Sequence, residues 1–383
     1  TGEDPYSIYV RKKQPGVKFQ TKEFGNDHHL THAMTGFYNS GFDEAAVVVV
    51  DGAGSGFDFP EIPQIFHESW EVESIYSVRY PAEIEAHLKY YGTNLLDSFS
   101  LMDNNTYVEI SDKHGMTKVY EAVTQFLGFH AIEAGKTMGL APYGNHNDSI
   151  KLNEKQYTNR SFVKPKFPAS SFIIGDLDEE LTKLEGKEEW HKDETLVGEY
   201  RKDIAYMVQK SSEERIKLLI QQAIEITGLK KVVISGGFGL NCVANYEMLK
   251  EFPDVEFYHE PVAHDGGNTI GAAQYVYRSV SEDKEKTPLK SLYLGPEYDR
   301  YKDIDYTGFE VIDSTTEAVA KLIAEENIVC MYQGRSEAGP RALGNRSILF
   351  DPTVKNGKDI VNEVKRREWF RPFAGTVLAE KAS

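Results

Sequence analysis

Cysteine is nearly absent from this 383-residue chain, which has only Cys242 and Cys330. Two thiols so far apart exclude a disulfide framework and a cysteine-rich metal site, and make a reducing cytoplasm the expected setting. Long apolar runs are missing too. The longest, Ala45 to Val50, has six residues, whereas a membrane-spanning helix needs about 20, so no membrane association is expected. The opening TGEDPYSIYVRKK lacks the apolar stretch of a secretory signal and an initiator methionine, which fits a processed, trimmed or partial chain. Positive charge is scarce: 43 Lys and Arg stand against 60 Asp and Glu, a net of −17. That balance favours solubility and disfavours a general nucleic-acid or acidic-membrane surface.

One stretch is dense in chemistry: Gly25 to Gly56, GNDHHLTHAMTGFYNSGFDEAAVVVVDGAGSG. His28 and His32 are spaced by just over one helical turn, so in a helix both imidazoles leave the same face. Asn26 or Asp27 can cap that helix, and Ser40–Gly41 can end it. The apolar run that follows reads as a strand buried on both faces. It ends at Asp51 and a glycine-rich loop, a common place in α/β proteins to hold a metal or a phosphate. Two histidines with one or two carboxylates leave coordination positions open, as catalytic metal sites do. Each piece also has a plainer use. A histidine pair at this spacing packs or faces solvent in many helices, and an Asp after a strand is often a turn residue or a helix cap. The metal reading therefore needs partners from later in the chain.

Residues 1–24 read as an edge segment and loop. Strand-like runs at 45–51, 64–72 and 73–80, joined by short turns, suggest a meander, and helical patterns fill about 81–130. EAGKTMGLAPYGN (133–145) sets Gly135, Gly139 and Gly144 around Lys136 and one proline. That is the composition of a loop whose backbone comes close to something. Residues 151–200, with clusters such as GKEEWHKDE, read as a charged surface insertion. A helix at 211–228 has Ser211 and Glu214 as a capping box and Gly228 at its end.

The strand KKVVIS then leads into GGFGLNCVAN. Strand, glycine pair and helix in that order offer free backbone N–H groups to a nucleotide, although that stretch holds no Walker-type GKS or GKT. EPVAHDGGNTIGAA (260–273) repeats the device. Asp265 precedes Gly266, Gly267 and Asn268, as either a second acidic metal partner or a helix cap. The charged, proline-containing segment 281–300 reads as a domain boundary, followed by a new strand near Leu292, a helix at 315–326 and a strand at 328–334. Between Met331 and Pro372 lie nine Lys and Arg and five Asp and Glu, a net of +4, so the remainder carries −21. Arginine's planar fork suits phosphate and carboxylate, so this basic island is a candidate anion site, with a salt-bridged surface as the other reading.

The motifs HHLTHA, VVVVDGAG, EAGKTMGLAPYG, VVISGGFGLN, HDGGN, GRSEAGPRALGNRSIL and KRREWFRPFAG, in this order, resemble the O-carbamoyltransferases of the NodU, CmcH and TobZ type. The resemblance runs from about Gly25 to Leu378. It implies an α/β protein with an actin-like ATPase (ribonuclease H-like) domain at 1–288 and a smaller YrdC-like α/β domain at 289–383. The first domain also looks like the tRNA threonylcarbamoyl transferases, which share the HxxxH and the late Asp. The implied reaction has two steps. Carbamoyl phosphate and ATP, the latter with Mg, give carbamoyl adenylate in the YrdC-like domain. A hydroxyl of an acceptor then takes the carbamoyl group at a metal in the first domain. Carried onto this sequence, the metal ligands are His28, His32, Asp51 and Asp265, for one divalent transition metal. Iron is favoured, and manganese or zinc also suit N/O donors. Gly236, Gly237, Asn268 and Lys136 would meet the nucleotide, and Arg335, Arg341, Lys365, Arg367 and Arg371 the carbamoyl phosphate. The acceptor would be a small molecule, a sugar or a hydroxymethylated nucleobase. Nucleic acid is a partner only in the last case, and a homodimer is compatible.

The chain also departs from the family pattern. Members carry a strand and a phosphate loop before the HxxxH, with the general-base histidine on it. Residues 1–24 hold no counterpart, so the catalytic base is unassigned. Members continue past the RPFA segment, and Gly375 stands where proline is usual. These departures fit a fragment missing the start of the first domain and the end of the second, or completion by another chain. Two rival functions remain. Threonylcarbamoyl transfer to tRNA is disfavoured by the net charge of −17 and by the arginine-rich second half. A non-enzymatic, actin-like ATP-gated binding protein would need neither HxxxH nor the arginines.

Overall fold

The computed structural model describes residues 27–59, 65–93, 98–111, 115–148, 150, 152, 194–282, 285–297 and 304–381. The segment 1–24 and nearly all of the expected insertion before Glu194 lie outside the described residues. In chain order the elements are α1 (His28–Ser40), β1 (Glu44–Val50), β2 (Ser69–Arg79), β3 (Glu83–Thr93), β4 (Phe99–Asp103), β5 (Thr106–Ser111), α2 (Met116–Phe126), α3 (Ala134–Leu140), α4 (Glu194–Thr227), β6 (Lys231–Ser235), α5 (Cys242–Glu251), β7 (Glu256–His259), α6 (Asn268–Val280), α7 (Thr316–Ala324), β8 (Val329–Tyr332), β9 (Arg346–Leu349) and α8 (Gly357–Val364).

The architecture is mixed α/β. A seven-stranded sheet runs β4-β5-β3-β2-β1-β6-β7, and β8 and β9 form a separate antiparallel pair. β1 pairs antiparallel with β2 and parallel with β6. Its apolar run is buried on both faces, as the sequence requires. Ala46, Val48 and Val50 meet Ile216, Leu219, Ile220 and Ala223 of α4. Ala45, Val47 and Val49 meet Ala33, Met34, Phe37 and Tyr38 of α1. Each such valine contributes roughly 1.5–3 kcal/mol by leaving water. α1 is thereby pressed against the strand whose end carries Asp51.

Several sequence expectations give way here. The runs at 64–72 and 73–80 are served by a single strand, β2. The span 81–130 is mostly sheet, β3 to β5, and only α2 is an α-helix there. In β3, Ile84 and Ala86 pack on the α1 side, whereas Leu88 and Tyr90 pack on the α4 side. A register shift between the pairs Ile75–Leu88 and Tyr76–Ala86 leaves His87 as the extra residue. A bulge of this kind switches the buried face midway and hides the strand's period of two. EAGKTMGLAPYGN is a helix, α3, between tight turns rather than a loop. Its glycines do mark close approach: a Cβ on Gly139 would lie 3.3 Å from Pro372, and one on Gly144 would lie 2.1 Å from the Lys202 carbonyl oxygen.

α4 starts well before Ser211, because Ile204, Ala205 and Val208 extend its buried face. Ser211 is therefore interior to the helix and is not its N-cap, while Gly228, at φ +69°, ends the helix as expected. Near Leu292 there is no strand; an isolated bridge joins Glu297 to Arg335. A second core gathers Val119, Val123 and Phe126 of α2, Leu140 of α3, and Ile204 and Val208 of α4 around Phe370. Phe370 comes from the far end of the sequence. No described helix is long and apolar enough to cross a membrane.

Candidate metal centre and its cavity

α1 begins at His28 without a side-chain cap from Asp27; the other expected cap, Asn26, lies outside the described residues. Its helical spacing puts His28 and His32 on one face, and the two Nε2 atoms lie 3.1 Å apart. β1 delivers Asp51 from below, with Oδ2 3.2 Å from His28 Nε2 and 3.8 Å from His32 Nε2. The turn before α6 delivers Asp265, with Oδ1 3.4 Å from His28 Nε2 and 3.3 Å from His32 Nε2. That turn is held close because Gly271 of α6 has no side chain: a Cβ there would meet the Thr31 carbonyl oxygen at 2.2 Å. The hydroxyl of Thr35 also donates to the Gly267 carbonyl at 2.9 Å. The four donor atoms, two nitrogens and two carboxylate oxygens, fall within 4.8 Å of one another. Such a donor set fits a divalent transition metal.

Electrostatics within the cluster follow from this geometry. The hydrogen bond to Asp51 raises the His28 pKa, against the opposing effect of burial. Burial works against charge on Asp51, but the hydrogen bond from His28, the neighbouring His32 and His29, and the Gly237 N–H together hold its carboxyl well below the usual range. The hydrogen bond with His32 lowers Asp265. Both carboxylates are therefore ionised and available at neutral pH.

Sequence reasoning missed the support beneath α1. His29 is fully buried and its Nδ1 lies 2.8 Å from Ser74 Oγ. The Ser74 hydroxyl donates to Glu71 Oε1 at 3.0 Å, and Lys89 Nζ sits 2.8 Å from the same oxygen. Burial pushes the His29 pKa down to about 4, so this imidazole is neutral. Glu71 and Glu73 between the apolar residues of β2 were the available signal, but no local pattern could pair them with Lys89 and Arg215.

Asp51 and Asp265 open onto a cavity of about 750 Å³, whose lining includes Lys136, Gly237, Arg341 and Arg371. Residues from opposite ends of the sequence thus share one chamber. Gly236 is not a lining residue; at φ +85° it lies against β1, where a Cβ would meet the Val50 carbonyl oxygen at 2.3 Å. Asn268 turns its amide to His32 Nε2 at 3.4 Å, beside the His and Asp cluster. Arg335 donates to the main-chain carbonyls of Leu294 and Gly295. Arg367 donates to Asn362 and to the Pro372 carbonyl and stacks on Phe373. Lys365 follows the end of α8 and is exposed. Of the five cations assigned to carbamoyl phosphate, Arg341 and Arg371 are the two that line the chamber. Glu368, Glu133 and Thr117 were not anticipated: the first two engage Lys136, and the Thr117 hydroxyl donates to the Asp51 carbonyl at 2.6 Å.

Comparison with known proteins finds matches along most of the chain. The family described as Carbamoyltransferase N-terminus matches residues 7–274, and Carbamoyltransferase C-terminus matches residues 320–383. An uncharacterized Synechocystis protein is 30% identical, over 93% of this chain and 55% of its own length. The nodulation protein NolNO of Sinorhizobium fredii is 29% identical, over 93% of this chain and 47% of its own length. The chain therefore spans about half the length of these relatives. A crystal structure of full-length HypF in its phosphate- and nucleotide-bound form aligns with a TM-score of 0.41 at 15% identity, over 73% of this chain and 46% of that one.

Proposed function

The chain belongs to the carbamoyltransferase family, and on that premise we propose that it works in O-carbamoyl transfer through a carbamoyl adenylate. The observation that carries this reading is the convergence of His28, His32, Asp51 and Asp265 at a chamber that also presents Lys136, Arg341 and Arg371. In the proposed sequence, one water splits carbamoyl phosphate into carbamate and phosphate, and a carbamate oxygen then bonds to the α-phosphorus of ATP as pyrophosphate leaves, which gives carbamoyl adenylate. The hydroxyl oxygen of an acceptor then bonds to the carbamoyl carbon and releases its proton to solvent, the C–O bond to AMP breaks, and AMP leaves with the bonding pair.

His28, His32, Asp51 and Asp265 would hold a divalent transition metal, iron in the first instance. When bound, it supplies Lewis acidity toward the oxygens that gain negative charge. The protein's own groups do the rest. The Gly237 N–H fixes Asp51, and Thr35 with Gly271 fixes the turn bearing Asp265. Lys136, Arg341 and Arg371 offset the charge of the phosphorylated substrate, so that two anions can approach. Residues 1–288 would form the transfer domain, of actin-like type, and residues 289–383 part of the YrdC-like adenylate-forming domain. The seven-stranded sheet in the first span and the separate β8–β9 pair in the second support that division. A cytoplasmic setting accords with the free thiols of Cys242 and Cys330.

The deciding experiment is mass spectrometry of hydroxyl-bearing acceptors, including sugars and hydroxymethylated nucleosides, incubated with the protein, ATP and carbamoyl phosphate. A carbamoyl mass gain that depends on both substrates supports the reading. ATP turnover with no carbamoylated product across these acceptors counts against it and favours an ATP-gated binding protein.

A further inference from the structure

Lys136 and Arg371 reach the chamber wall from opposite ends of the sequence, and one side chain joins them. Glu368 Oε1 lies 2.7 Å from Lys136 Nζ, and its Oε2 lies 3.4 Å from an Arg371 guanidinium nitrogen. The Glu368 side chain is only 6% exposed, and it is not among the lining residues, whereas both cations are. It therefore sits behind them. We propose that Glu368 is the positioning residue of a phosphate cradle made by Lys136 and Arg371. The proposal rests on reading this chamber as a site for phosphorylated substrates.

Three further features bear on this. The backbone carrying Arg371 is fixed: Phe370 is buried in the core of α2, α3 and α4, and the Asn362 amide donates to the carbonyls of Trp369 at 3.2 Å and Arg371 at 3.1 Å. The Arg371 N–H closes a turn onto the Glu368 carbonyl at 3.1 Å. On the other side, Gly139 lets α3, and with it Lys136, approach Pro372 closely. Donor capacity also remains. Glu133 and Glu368 occupy two directions around the Lys136 ammonium, each at 2.7 Å, and an ammonium has three hydrogens. Arg371 directs one nitrogen to Glu368 and has others for a planar, bidentate phosphate contact.

A carboxylate behind two cations acts in two opposed ways. It lowers the local positive potential, which weakens phosphate binding, and it holds the cations in place, which strengthens it. Removing its charge separates the two. In the positioning role, Glu368→Gln weakens binding; if charge alone mattered, the same change would tighten it. Glu133→Gln is the comparison: Glu133 lines the chamber and holds the same ammonium from a more exposed position, without tying it to Arg371.

The experiment is isothermal calorimetry at fixed ionic strength, with inorganic pyrophosphate and AMP as probes, on the wild type and both variants. Metal content and Tm are measured alongside. The expected result is about tenfold weaker binding of both probes by Glu368→Gln, with a smaller loss for Glu133→Gln and unchanged metal content. Unchanged or tighter binding by Glu368→Gln overturns the cradle. Should that variant fail to fold, Glu368→Asp, which keeps the charge but withdraws it by one methylene, carries the same expectation. The two readings separate cleanly. Pyrophosphate binding that depends on Glu368 in a protein that carbamoylates nothing leaves the cradle and removes the transferase. Carbamoyl transfer with probe binding indifferent to Glu368 does the reverse.

Discussion

Gly237 donates its main-chain N–H to Asp51 Oδ1 at 3.0 Å, which leaves Oδ2 turned to His28 at 3.2 Å. One carboxylate thus ties the loop after β6 to the histidine pair on α1. The loop proposed to meet the nucleotide and the cluster proposed to hold the metal are mechanically one unit.

Gly237→Val should therefore disturb two properties together. A Cβ at this position would already lie 3.0 Å from Asp51 Oδ1, and branching adds bulk against the carboxylate. We expect roughly tenfold weaker AMP binding by calorimetry, accompanied by reduced metal content. If AMP affinity is unchanged, the nucleotide lies elsewhere in the chamber.

His32→Ala removes a nearly fully buried imidazole that faces His28, Asp51 and Asp265 at once. Purified protein should carry about one transition metal per chain with four ligands, and the variant should lose most of it. Equal metal content in the two proteins, by mass-spectrometric elemental analysis, would mean that the cluster is only a hydrogen-bonded group.

The convergence of His28, His32, Asp51 and Asp265 was legible in the sequence because each part lies in a local pattern: a helical pair, a strand end, a glycine turn. The positions of the arginines were not. All were known to be cations in a glycine-rich island, but side chains that face a chamber and side chains that bind main-chain carbonyls have the same local sequence. Arg335 and Arg371 differ only in what the fold places beside them. β3 was misread for another reason, since the bulge at His87 erased the period on which strand recognition depends. The partnership of Lys136 with Glu368 spans most of the described chain, and no spacing rule reaches that far.

Glu337 offers a test by pH. Its carboxylate accepts the main-chain N–H groups of Leu343 at 2.9 Å, Asn345 at 2.8 Å and Arg346 at 3.2 Å. Those donors, Leu343 foremost, lower its pKa to about 2 from an ordinary 4.5. A depressed carboxyl stabilises the folded loop fully above its unfolded pKa, and that stabilisation fades as pH falls from about 4.5 through about 2. Protection of these three amides in hydrogen exchange should therefore be constant between about pH 7 and 5 and decline below. Glu337→Gln at neutral pH should resemble the acid state of the wild type. Equal protection in the two proteins at pH 7 would show that the loop, which carries Arg341, is held by other contacts.

Phe370→Ala tests whether the last segment belongs to the main body. The ring is 1% exposed, packs with Phe129 at 6.0 Å between centroids, and shares a core with α2, α3 and α4. Truncating a core phenylalanine costs about 3–5 kcal/mol through lost burial and the cavity left behind. If residues 357–373 were a separate unit resting on the surface, unfolding of the main sheet would not register the change. Because the ring fills that core, the unfolding of α2 and α4 should itself shift to lower denaturant. Phe370→Leu, which keeps most of the volume, should cost less than about 1.5 kcal/mol. The same truncation loosens the residue before Arg371, so phosphate affinity should fall in parallel with stability across the two variants. Loss of phosphate affinity with no change in the unfolding midpoint would place Phe370 at the ligand and not in the core.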